Sequence, residues 1–107
     1  MIVTAVIVAA TLQATVAAGP RKEYVACLKT AVSQASAQKL APDGFAAFAQ
    51  QNCSSIEQSF KAELVKFLTK NGMAKNTAAE DADLQIEDYV FSAEQRYRDQ
   101  VEHAAPQ

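Results

Sequence analysis

Two cysteines, Cys27 and Cys53, lie about 26 residues apart with the turn signal Pro42-Asp43-Gly44 close to their midpoint, and this pair limits the fold more than any other feature. With helix on both sides of that turn, an antiparallel hairpin sets Cys27 roughly 14 residues before it and Cys53 roughly 9 after. These are roughly 21 and 14 Å of helical rise. A connection of several residues absorbs the difference, so the sulfurs come level and within the roughly 4.4 to 6.8 Å Cα separation that a disulfide requires. Closing a loop of this length is worth about 3 to 4 kcal/mol, comparable to the whole stability margin of a small domain. A Cys27–Cys53 disulfide is the predicted state. The alternatives fit less well. A redox centre needs Cys-x-x-Cys, which is absent. A tetrahedral zinc site needs four ligands, and the two cysteines with the lone His103 supply three. Two free buried thiols would require a reducing compartment.

The helical reading comes from spacing. Gly and Pro are scarce and placed at boundaries: Gly19-Pro20, Pro42-Asp43-Gly44 and Asn71-Gly72. Between them apolar residues recur every three to four positions rather than alternating. Tyr24, Leu28, Ala31 and Ala35 form the first stripe, with Val25 and Val32 beside it. Phe45, Phe48, Ala49, Ile56, Phe60, Leu64, Phe67 and Leu68 form the second. Ile86, Tyr89, Val90, Ala93, Tyr97 and Val101 form the third. Asn71-Gly72 suits a left-handed helix cap. Thr77-Ala78-Ala79-Glu80 matches a capping box, and so does Ser54-Ser55-Ile56-Glu57, although two serines cost little inside a helix and a continuous second helix is favoured. The expected fold is all-α, a three-helix up-down-up bundle with helices at about 21–39, 43–71 and 77–104. Alanines at Ala31, Ala35, Ala49, Ala82 and Ala93 allow close helix approach.

Residues 2–18 contain no charge, and Arg21-Lys22-Glu23 ends the run abruptly. Thr4, Thr11, Gln13 and Thr15 dilute the segment below the roughly 20 strongly apolar residues of a membrane span. A short apolar stretch, then Val16-Ala17-Ala18, then Gly19-Pro20, matches a cleavable signal peptide over 1–18. The amino group of Met1 is its sole early positive charge, so the signal is atypical or its basic part lies upstream. Tyr24-Val25-Ala26-Cys27 is a poor lipoprotein match, because charged residues separate it from the apolar run. Cleavage leaves a domain over 19–107, with no stable membrane span. Periplasmic or secreted localisation follows from the leader together with the disulfide.

The formal net charge of −2 is too small to select nucleic acid or an anionic membrane as partner. Its distribution is uneven: residues 19–76 carry a net +4 and residues 77–107 a net −6. Most of this is helix-end chemistry, with Glu80, Asp81 and Asp83 in a first turn of the third helix and Lys66, Lys70 and Lys75 near a helix end.

Catalytic constellations are missing from the sequence. His103 lies four residues from the end, one turn after Asp99, and reads as a solvated terminal histidine. Glycine-rich phosphate loops are absent. Glu80, Asp81, Asp83, Glu87 and Asp88 lack the spacing and central glycine of a calcium loop. No cofactor is called for, and an enzyme is the least favoured reading, since no nucleophile–base pair or Glu-x-x-His metal motif occurs. Leu84 and Phe91 fall off the third apolar stripe. With Glu87 between them they would form an exposed patch for a partner. The expected function is a non-enzymatic binding module, contacting an envelope or secreted protein. The alternative is an acid- or envelope-stress chaperone whose acidic third helix loosens on protonation.

Overall fold

The computed structural model describes the backbone over residues 2–104 and side chains over 19–104, so the leader reading of residues 1–18 lies outside the described side chains. Three α-helices pack against one another: α1 (Ile2–Gln38), α2 (Phe45–Lys70) and α3 (Lys75–Ala104), with a 3-10 turn at Pro42–Gly44. No strand occurs among the described residues, and no described helix is long and apolar enough to cross a membrane.

The apolar stripes become the core. Tyr24, Leu28, Ala31, Val32 and Ala35 of α1 meet Phe45, Ala49, Cys53, Phe60 and Leu64 of α2, and Ala82, Ile86, Val90, Ala93 and Tyr97 of α3. All five alanines expected at close approaches are buried, and Ala78 joins them. The outer ends of two stripes depart from expectation: Phe67 and Val101 are exposed. Both lie near helix ends, where the neighbouring helices no longer cover that face.

Helix boundaries follow backbone chemistry more than single motifs. α1 ends in a Schellman motif: the Leu40 N–H donates to the Ala35 carbonyl at 3.0 Å and the Lys39 N–H to Ser36 at 3.1 Å. Lys39 itself takes the left-handed conformation, φ 55°. α2 ends the same way, with Gly72 at φ 102° and the Met73 and Gly72 N–H groups donating to Leu68 and Thr69, both at 3.0 Å. The glycine expected from Asn71-Gly72 therefore occupies the position that needs it.

Three boundaries are corrected. α1 runs unbroken through Gly19-Pro20, where a helix start at 21 was expected. A proline removes one intrahelical bond and crowds the preceding turn, at about 3 kcal/mol, but helix propagation on both sides bridges a single defect. A Cβ placed on Gly19 would meet nothing within 4 Å. α2 begins at Phe45, because Pro42–Gly44 forms the 3-10 turn. α3 begins at Lys75, ahead of the capping box, with the Ala78 N–H already donating to Ala74 O at 2.8 Å. Thr77 thus sits in the first turn. α2 passes through Ser54-Ser55 as one helix.

Candidate functional site

Cys27 on α1 and Cys53 on α2 are bonded, with Cα atoms 6.0 Å apart. The register explains why. Cys27 stands about eleven residues before the end of α1 and Cys53 about eight after the start of α2. At 1.5 Å per residue these are roughly 16 and 12 Å, a smaller mismatch than the sequence count implied. The intervening Schellman turn and 3-10 turn take up the rest. Cys53 is buried in the core and Cys27 is half-buried at its edge.

Two clusters lock α3 against this hairpin. At the turn, Tyr97 stacks on Phe45 with ring centroids 5.3 Å apart. Its hydroxyl donates to Leu40 O at 2.6 Å, with Ala35 O at 3.1 Å. One residue on, the Arg98 guanidinium reaches Asp43 at 2.8 Å and Glu94 at 2.9 Å. Those two contacts, Asp43 first, push the Arg98 pKa up. Farther along the bundle Tyr24, Phe60 and Tyr89 pack as an aromatic triad with centroids 5.5 to 6.0 Å apart. The Tyr24 hydroxyl donates to Glu57 Oε1 at 3.0 Å. Burial first, then the Glu57 charge and hydrogen bond, hold this phenol well above the ordinary tyrosine range. Tyr97 is buried in the core and Tyr89 packs half-buried against it.

With those side chains turned inward, α3 leaves a second face free. Leu84 and Phe91 are 60% and 61% exposed, whereas Ile86, Val90 and Ala93 on the same helix are buried. Leu84, Glu87 and Phe91 line one open groove of about 650 Å³ between α3 and the start of α2. Ala46 and Gln50 supply the α2 wall, and Asp88 and Glu94 add carboxylates. The structure thus brings the three predicted patch residues together. The α2 wall was missed, because only the α2–α3 register reveals which small and neutral residues face Phe91. The seven-residue spacing of Leu84 and Phe91 was the one signal available.

The remaining polar groups are dispersed. Asp83 pairs with Lys61 at 2.7 Å, and Asp81 accepts from Gln85 at 2.9 Å. His103 Nδ1 lies 2.7 Å from the Asp99 carbonyl, so it is the backbone one turn back, not the carboxylate, that it meets. Among the described residues no three His, Cys, Asp or Glu side chains converge as a metal site would require. No known protein family matches this chain, and no curated protein or solved structure shows significant similarity to it.

Proposed function

We propose that this chain is an exported, non-enzymatic binding module that meets another protein through the Leu84–Glu87–Phe91 face of α3. One observation carries the reading. Two large apolar side chains, seven residues apart, stand more than half exposed beside a groove. On the same helix Ile86, Val90, Ala93 and Tyr97 are buried in the bundle. A small domain gains nothing in folding from leaving Leu84 and Phe91 in water, and clustered exposed apolar groups mark interaction surfaces. Export is supported by the disulfide, which persists where cytosolic reductants are absent, and by the apolar leader-like segment 2–18. An envelope or secreted protein is the corresponding partner.

Acid-triggered chaperoning is less favoured. The carboxylates that bridge α3 to the hairpin, or the hairpin to α3, are Asp83 and Asp43, with side chains 57% and 93% exposed. Pairs so open to solvent contribute at most about 1 kcal/mol each, too little for their protonation to release a helix.

A photo-cross-linking residue placed at Phe91 in the native host tests the reading. Discrete adducts with one or a few proteins are expected at Phe91 and Leu84 and not at Gln58, on the exposed side of α2. Identical adducts at Gln58, or none at Phe91, contradict it.

A further inference from the structure

We infer that the α2–α3 groove docks a basic amphipathic helix of the partner protein, with apolar anchors seated on Leu84 and Phe91 and Lys or Arg side chains facing Glu87 and Asp88. The inference rests on the protein-binding reading above and adds the chemistry of the partner.

Dimensions come first. Leu84 and Phe91 are two helical turns apart, roughly 10 Å along α3. A partner helix presents its own apolar residues at that repeat, through positions i, i+3 or i+4, and i+7. On the opposite wall Ala46 is small, which lets a third rod settle between α2 and α3. Two side chains alone bury far less area than a stable interface needs, so a longer helix touching both walls is the fitting occupant.

Charge then selects the sign. The groove is lined by Glu87, Asp88 and Glu94, and no cation lines it among the described residues. Glu94 is already offset, accepting from Arg98 Nε at 3.1 Å and from its Nη2 at 2.9 Å. The ion pairs among the described residues engage Asp83, Asp43 and Glu94, and leave Glu87 and Asp88 to face the groove. A cationic helix satisfies that pair at the rim, where opposite charge speeds association and rejects wrong partners.

The same geometry disfavours the other occupants. In a two-fold dimer built on Leu84 and Phe91, the axis passes between residues 87 and 88, the middle of the stripe. An isologous contact then sets Glu87 of each copy against Asp88 of the other, carboxylate on carboxylate. An anionic lipid surface meets the same carboxylates and is repelled.

The test uses the oxidised full chain and two fluorescent peptides of about 18 residues, one a Leu/Lys amphipathic helix and one its Leu/Glu counterpart. Anisotropy titrations at about 50 mM salt are expected to favour the Leu/Lys peptide by about tenfold or more, and at about 500 mM the preference narrows. The double change Glu87→Lys with Asp88→Lys reverses the preference. Leu84→Ser with Phe91→Ser weakens both peptides at least about tenfold, and since both side chains are exposed the fold survives, as circular dichroism checks. Asp99→Lys with Glu102→Lys alters net charge equally and leaves binding unchanged.

A loss of binding in that last variant as large as in Glu87→Lys/Asp88→Lys overturns the inference, because the attraction is then diffuse. A Phe91-dependent preference for the Leu/Glu peptide overturns the basic partner yet leaves the binding face standing. Failure of both peptides, with no Phe91 cross-link in the host, removes the inference and the function together. A concentration-dependent dimer dispersed by Phe91→Ser reassigns the groove to a second copy and overturns it also.

Discussion

At the scale of single residues, two tyrosine hydroxyls join distant parts of the chain. Tyr97, buried at the turn, donates to carbonyls at the end of α1, fixing α3 against the hairpin it follows by more than fifty residues. Tyr97→Phe keeps the ring stacked on Phe45 but removes that donor. It is expected to lower stability by about 1 to 2 kcal/mol, read as a shift in urea midpoint with an unchanged slope; no shift would show that water replaces the bond. Tyr24 titrates in a way the fold resists. Its folded pKa is raised above the unfolded value of 10.0, so the neutral phenol is the form the native state favours. Its contribution is intact below that pH and falls as pH climbs, because the unfolded chain loses the proton first. Thermal melts from pH 8 to 11 should therefore show a steeper loss above about pH 10 in the wild type than in Tyr24→Phe. Parallel curves would place the phenol in ordinary solvent. The aromatic stripe marked both rings for the core. Their acceptors were invisible in the sequence, because Glu57, Ala35 and Leu40 are brought to them only by the packing of separate helices.

At the scale of elements, periodicity located the helices and the special backbone positions set their ends. The 3.6-residue stripes placed Tyr24, Phe60 and Tyr97 inside correctly, since a helix with an apolar face has only one way to cover it. Gly72 announced its own cap. Lys39 did not: it occupies the left-handed C′ position with φ 55° and a side chain that normally avoids it. The Schellman bonds and the packing of half-buried Leu40 against the core hold Lys39 there. Lys39→Gly relieves the Cβ crowding and is expected to stabilise the protein by about 0.5 to 1 kcal/mol, measured by chemical denaturation. A destabilised variant would mean that the lysine side chain itself supports the turn. Pro20 misled in the opposite direction. Read as a terminator, it lies within α1, because a local penalty loses to a helix that continues strongly on both sides.

At the scale of the molecule, a covalent staple and a third helix divide the labour. The disulfide joins α1 to α2 across about 26 residues of intervening chain, and α3 closes the core through alanine contacts, the aromatic triad and the Tyr97 clasp. This division leaves the outer face of α3 unneeded for folding, which is why Leu84 and Phe91 can stand in solvent beside Glu87. The patch was legible as two residues off a stripe; its groove was not, since Ala46 and Gln50 join it only through tertiary register. Opposite charge on the two halves contributes less than its totals suggest. One bridging pair runs from a basic α2 residue to α3, Lys61–Asp83, and the other runs the reverse way, Arg98–Asp43.

The central claim, a bundle stapled between its first two helices in the protein as its host makes it, is tested most directly by intact mass after thiol alkylation. Native protein treated with an alkylating reagent before reduction is expected to gain no adduct, and after reduction to gain one on each of Cys27 and Cys53. Two adducts acquired by the folded protein before any reductant is added would contradict it.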